Sequence, residues 1–213
     1  MIIAVDGSAA SGKGTLAKRL AAHFNLAHLD TGSLYRCLAL HLLETGHSPE
    51  KIEETVASNA IDTLDLAMAG TPAIRTDSVA GMASVIAAMP AVRQNFLAFQ
   101  RRFASDTPAH DGAILDGRDI GSVILPDADF KFFIDADLEE RARRRSQELQ
   151  DAGQSVMFRD VLEDMRDRDR RDRERNTAPL KAADGAMIID TTRLDADGVF
   201  AAAISQIDIP REQ

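Results

Sequence analysis

A single cysteine, Cys37, occurs in 213 residues, so the chain cannot form an internal disulfide. It lies in the apolar run Leu34 to Leu43, where the expected role is a small buried hydrophobe and not a catalytic thiol. Histidines are few: His23, His28, His41, His47 and His110 form no paired ligand pattern and are not joined by cysteines, which argues against a zinc site. Long hydrophobic runs are missing. Asp6 and Lys13 interrupt the only candidate leader, and no later run approaches membrane-spanning length, so no membrane contact and a cytoplasmic location are expected. Positive charge is in the minority, with 25 Lys and Arg against 34 Asp and Glu for a net charge of -9. That balance argues against general affinity for nucleic acid, whose phosphates select basic surfaces. No repeat or low-complexity tract is present.

What is there suits one compact domain with insertions, since 213 residues at 45% hydrophobic can build a sizeable core but not two large ones. Apolar runs and helical spacing predict strand 2–6, helix 13–24, a short strand near 27–29 and helix 33–45. The α/β alternation resumes with strands at Ala113 to Leu115, Phe130 to Ile134 and Ala186 to Ile189, short and apolar enough to be buried on both faces of a parallel sheet, with helices 138–150 and 157–175 between. Between about residues 48 and 82 the pattern weakens around Gly70, Pro72 and Gly81, which predicts an insertion and not another turn of the main sheet.

The opening, Met1 to Thr15, is a strand that runs into Gly7-Ser8-Ala9-Ala10-Ser11-Gly12-Lys13-Gly14-Thr15 and then a helix whose Leu16, Leu20 and Phe24 share one face. Its glycine and lysine spacing is that of a phosphate loop: glycines let consecutive amides turn inward on a polyphosphate while Lys13 reaches its outer end. The hydroxyl that usually follows the lysine is replaced by Gly14, so Thr15 is the candidate magnesium ligand, directly or through water.

Two further segments fall at carboxyl ends of strands, where open parallel sheets collect ligands. Asp30-Thr-Gly-Ser-Leu-Tyr-Arg36 is the first; the simpler reading is a helix cap by Asp30, Thr31 or Ser33. Asp116-Gly-Arg-Asp-Ile-Gly121 is the second. Arg118 offers a planar fork to phosphate, Asp119 suits an amino group and Asp116 can orient magnesium, or Arg118 and Asp119 simply pair with each other. Eleven arginines fall between Arg141 and Arg175. Most read as a solvated helix face, because Asp164 with Arg168, Asp167 with Arg171 and Asp169 with Arg173 have the spacing of exposed pairs. Arg168, Asp172 and Arg175 nevertheless share one face.

Phosphoryl transfer needs positioning and charge neutralisation more than covalent chemistry, which many arginines and one loop lysine provide. An acceptor phosphate is already ionised near neutral pH, so no general base is required, and the sequence has no obvious one. An arginine-bearing cover would also exclude water.

With these motifs the chain resembles, end to end, the bacterial cytidylate kinases. The resemblance rests on Gly7 to Thr15, Asp30 to Arg36, Ser84 to Arg93, Asp116 to Asp119, Glu139 to Arg145 and Asp167 to Leu180. It implies an α/β P-loop kinase fold: a central five-stranded parallel sheet flanked by helices (core 1–30, 84–140 and 180–213), a monophosphate-binding insertion at 31–83 and an arginine-rich helical lid at 141–175. It implies transfer of the γ-phosphoryl of ATP to CMP or dCMP with magnesium, by a monomer. Carried over residue by residue, Gly7, Ser8, Ala9, Ala10, Ser11, Gly12, Lys13, Gly14 and Thr15 hold ATP. Ser84, Arg93 and Asp119 read cytosine, Thr31, Tyr35, Arg36, Arg118 and Arg175 surround the acceptor phosphate, and Arg168 and Asp172 hold the sugar. Lys13, Arg118 and Arg175 are the expected catalytic set. The stretch from Tyr35 to Arg93 is shorter than in the long members of the family by about a dozen residues. The competing readings are a kinase for another nucleoside monophosphate or small metabolite, and an ATP-dependent binding switch.

Overall fold

In the computed structural model, which describes residues 1–207, five parallel strands form one sheet in the order β2-β3-β1-β4-β5. The strands are β1 (Ile2–Gly7), β2 (Ala27–Asp30), β3 (Ala113–Gly117), β4 (Phe130–Asp135) and β5 (Met187–Asp190). The final residues of the expected core segment, 208–213, lie outside the described residues. Central β1 is bracketed by β3 and β4, and successive side chains point to opposite faces. Ile3 and Val5 pack with Leu16, Leu20, Val199 and Ala203 of α1 (Lys13–His23) and α8 (Ala196–Ile207), whereas Ala4 joins Leu115, Ile120, Ile124 and Ala104 on the other face. Burial on both faces is why the strands read as unbroken apolar runs. β5 departs from that expectation. It is an edge strand, and Ile188 is 68% exposed because no layer covers its outer face.

A second core forms above the sheet's carboxyl edge. Leu34, Leu38 and Leu42 of α2 (Thr31–Glu44) pack against Ile74, Met82, Ile86, Val92 and Phe96. The weak-pattern segment is helical throughout its regular parts: α3 (Glu54–Asn59), three short 3-10 turns, and α4 (Asp77–Ile86), with α5 (Pro90–Ser105) after it. Cys37 is buried in this cluster. Finally α6 (Leu138–Asp151) and α7 (Phe158–Glu174) form a helical pair over the phosphate loop, with Ala142, Leu149, Val161 and Met165 as its seam. Among the described residues no helix is long and apolar enough to cross a membrane.

The charged face of α7 is arranged differently from its sequence spacing. None of the three i,i+4 pairs expected there is among the ion pairs of the described residues. Asp167 pairs with Arg170 at 3.0 Å, and Arg173 reaches Asp135 at 3.4 Å. Asp169 turns inward, where both its oxygens accept from Arg141 at 3.1 and 2.6 Å. Packing against α6 decides this: Arg141 is 2% exposed, and a buried guanidinium requires a paired, hydrogen-bonded anion.

Candidate active site

All five strands end toward one cleft, the crevice where the order of a doubly wound sheet reverses. The phosphate loop leaves β1 at Gly7, whose backbone lies so close to β4 that a Cβ there would stand 2.0 Å from the Ile134 carbonyl. Gly12 is needed for a different reason, its left-handed φ of 90° at the head of α1, with open space around it. The loop's carbonyls are held from within the loop and from neighbouring elements. Ser11 Oγ donates to Ser8 O at 3.0 Å, Arg141 to Ala9 O at 3.4 Å and Thr191 Oγ1 to Ser11 O at 2.9 Å, while Ser8 Oγ donates to Asp135. With the carbonyls engaged, the loop amides at the head of α1 are the donors left for an anion. Lys13 Nζ lies 3.2 Å from Ser8 O.

The cleft beside this loop, about 320 Å³, falls in the range of small-ligand sites. Its walls carry nine Lys and Arg side chains against five Asp and Glu, the reverse of the chain's net charge of -9. That local reversal suits a crowded polyanion. Lys13, Thr15, Thr31, Tyr35, Arg36, Ser84, Arg93, Arg118, Asp119, Arg168, Asp172 and Arg175 all line it, so the expected acceptor residues are brought together with Lys13 and Thr15.

Arg118 and Asp119 do not pair with each other. Arg118 Nε donates to Asp172 at 2.9 Å, joining the loop after β3 to α7. Asp119 is paired with Arg93 and lies 3.7 Å from Arg175. Burial pushes the Asp119 carboxyl upward, with Arg93 and Arg175 pulling the other way. Burial also penalises the charge on Asp172, but Arg118 and Arg168 outweigh it and hold that carboxyl below its ordinary value. Burial, reinforced by Arg118, pushes Lys13 down to about 7, and burial pushes Arg168 down to about 9. Three buried polar atoms facing this region have no hydrogen-bond partner: Ser84 Oγ, Arg168 Nε and Arg175 Nη2. Buried donors without partners are costly, so their clustering on the cleft residues points to a ligand that supplies acceptors.

The helix-cap reading of Asp30 is not what the side chains do. α2 begins at Thr31 with Asp30 at its N-cap, but that carboxylate makes no capping bond; Thr31 Oγ1 donates instead to Asp116 O at 2.8 Å. His28, which has no metal-ligand spacing in the sequence, meets Asp116 Oδ1 at 2.7 Å and lines the cleft. Sequence spacing does not reveal this role, because the partner is 88 residues away. For a magnesium ion, Thr15 and Asp116 offer oxygen donors in the cleft, and no cluster of three His, Cys, Asp or Glu occurs among the described residues. A hard cation held by few protein oxygens, with phosphates and waters completing its shell, fits that donor set.

A second cavity adjoins the other side of the loop, bounded by Gly12, Thr15, Glu140, Arg144, Thr191 and Leu194 among others. Arg144 is fixed there by Glu140 at 3.0 Å and by the Thr191 hydroxyl and carbonyl at 3.0 and 2.7 Å. Sequence reasoning gives Gly12 and Thr15 to the donor nucleotide but assigns Glu140, Arg144, Thr191 and Leu194 no site, because the cavity joins α6 to the turn after β5.

The family model described as "Cytidylate kinase" matches residues 3–209. The chain is 52% identical over 205 residues to a cytidylate kinase of Methylocella silvestris, covering 96% of this chain and 92% of that one. It is 48% identical over 211 residues to a cytidylate kinase of Rhodopseudomonas palustris, covering 99% and 97%. Among solved structures, an uncharacterized protein from Eubacterium ventriosum superposes with a TM-score of 0.55 at 17% identity, covering 99% of each chain, which shows a shared fold.

Proposed function

The chain belongs to the cytidylate kinase family, and from that premise we propose that it transfers the γ-phosphoryl group of ATP to CMP or dCMP, giving ADP and CDP or dCDP. One observation carries the reading: the phosphate loop with Lys13 and the Arg93, Arg118, Asp119, Arg168, Asp172, Arg175 set line one and the same cleft. A binding switch needs no acceptor site, and a kinase for a uracil nucleotide would set the Asp119 carboxylate against a carbonyl.

In this reading the loop amides and Lys13 hold the donor phosphates, and the adenosine lies toward the cavity beside Arg144 and Thr191, where a fixed guanidinium plane offers a stacking face. Arg36, Arg118 and Arg175 bind the acceptor phosphate, with Thr31 and Tyr35 beside them. Thr15 and Asp116 would hold magnesium, directly or through water, and the ion would supply charge neutralisation for the donor phosphates. The acceptor oxygen attacks the γ-phosphorus as an already ionised nucleophile, so no base is called for. Asp119 accepts from the cytosine amino group and Arg93 or Ser84 serves its ring acceptors; uracil would turn a carbonyl toward the carboxylate. Arg168 and Asp172 hold the sugar.

Product formation with CMP, dCMP, UMP and AMP, each with ATP and magnesium, tests the function: CDP and dCDP are expected with UMP and AMP far behind, and no CDP from CMP would overturn it. A second expectation concerns Lys13. Because burial holds it near 7 before nucleotide binds, it is mostly neutral at about pH 8, and polyphosphate beside it favours the charged form. Binding of ATP at that pH should therefore take up close to one proton, read by calorimetry in buffers of different ionisation enthalpy. The uptake should vanish in Lys13→Ala; an identical uptake in the variant would assign it elsewhere.

A further inference from the structure

Asp6 is a buried carboxylate that neither the phosphate loop nor the acceptor set uses. It is the next-to-last residue of β1, just before Gly7, is 3% exposed, and stands in register with Gly117 of β3. Its Oδ1 accepts from the amide of Ile120 at 2.7 Å and its Oδ2 from the amide of Gly121 at 2.8 Å. Those amides open the single π-helical turn Ile120–Ile124, and the residue at the cap position of that turn is Asp119. An aspartate at a helical cap ordinarily folds back on the first free amides of its own turn. Asp119 makes no such bond. Its carboxylate is turned to Arg93 and, at 3.7 Å, to Arg175.

We propose that Asp6 is a positioning residue for base selection: by capping the turn after β3 from the neighbouring strand, it releases the Asp119 carboxylate to face the acceptor nucleotide. This rests on the cytidylate kinase reading and adds a residue to its specificity machinery. The same contact ties the loop that reads the acceptor to the strand that launches the donor phosphate loop, so one side chain sets the spacing of the two half-sites. Two oxygens facing two amide donors also make the group chemically exacting. An asparagine would aim its own NH₂ at one of those amides, leaving that donor unsatisfied and repelled. Either way the freed amides draw Asp119 back to its local cap, away from the base.

The test uses Asp6→Asn, Asp6→Ala and Asp6→Glu, with KM for CMP and for ATP, the CMP to UMP ratio of kcat/KM, and the thermal midpoint. For Asp6→Asn and Asp6→Ala, KM for CMP should rise and the CMP preference fall on the order of tenfold, the size of a displaced polar reading contact, while KM for ATP stays within about twofold. Asp6→Glu, which keeps both acceptors, should retain part of the preference. In an Asp119→Ala background Asp6→Ala should lower the preference little further, because it acts through Asp119. An unchanged preference, equal losses for CMP and ATP, additivity in the double variant, or failure of all three variants to fold would each overturn the assignment. A wild-type chain that makes no CDP would instead overturn the parent reading and this one with it.

Discussion

Replacing Lys13 by alanine is expected to lower kcat for CDP formation by about three orders of magnitude without unfolding the protein. Lys13 is the first residue of α1, and its ammonium is the one loop cation able to follow charge from the donor phosphate to the transferring group. Removal leaves the loop intact, because its shape rests on Gly7, on Gly12 and on carbonyl contacts from Arg141, Ser11 and Thr191. The stability effect has a definite sign. Burial depresses Lys13 from 10.5 to about 7, so the folded state disfavours a proton that the unfolded chain binds. That cost is present in full below the folded value and is relieved as pH rises from there toward the unfolded value. Lys13→Ala should therefore match or exceed the wild-type thermal midpoint on the acid side of neutrality while losing turnover, a trade between stability and activity common at catalytic cations. Near-normal kcat would contradict the loop assignment.

The second large effect is expected at Asp119. For Asp119→Ala, kcat/KM for CMP should fall by about a thousandfold, with KM for ATP within about threefold. Two losses combine: the acceptor for the cytosine amino group disappears, and Arg93 and Arg175, now without their shared counter-charge, are left facing the base. Asp119→Asn separates them. An amide can accept from cytosine or, rotated, donate to a uracil carbonyl, so this variant should keep more CMP activity than alanine and raise UMP use relative to CMP. Parallel loss of ATP and CMP binding in either variant would refute a role in base reading.

Much of this site is legible in the sequence alone. The phosphate loop can be read because its requirements are local: a strand, two glycines at fixed spacing and a lysine entering a helix. The Asp30 to Arg36 and Asp116 to Gly121 segments are picked out by position, since each follows an apolar strand. Other features are harder to weigh. Pro90 at the start of α5 and the buried Val92, Phe96, Gln100 and Ala104 at four-residue spacing mark a helix, yet α4, α5 and α8 are absent from the expected elements, although α4 and α5 carry Ser84 and Arg93. In the sequence Asp6 is a mere interruption of an apolar run. His28 has no visible task there, because its partner is distant along the chain.

The sequence by itself determined the fold class, the donor loop and the residue types at the carboxyl ends of the strands, because these follow from short-range backbone geometry and hydrophobic period. Only the tertiary structure decided which charge meets which. Spacing along α7 favours solvent pairs for Asp169 and Arg173. Packing instead buries Asp169 against Arg141 and leaves Arg168, Asp172 and Arg175 to the cleft. In the same way a strand residue, Asp6, takes the amides that a local cap would have claimed, 114 and 115 positions away. A charged side chain in water has many equivalent partners, but once buried it must have one, and the chain's three-dimensional path chooses it.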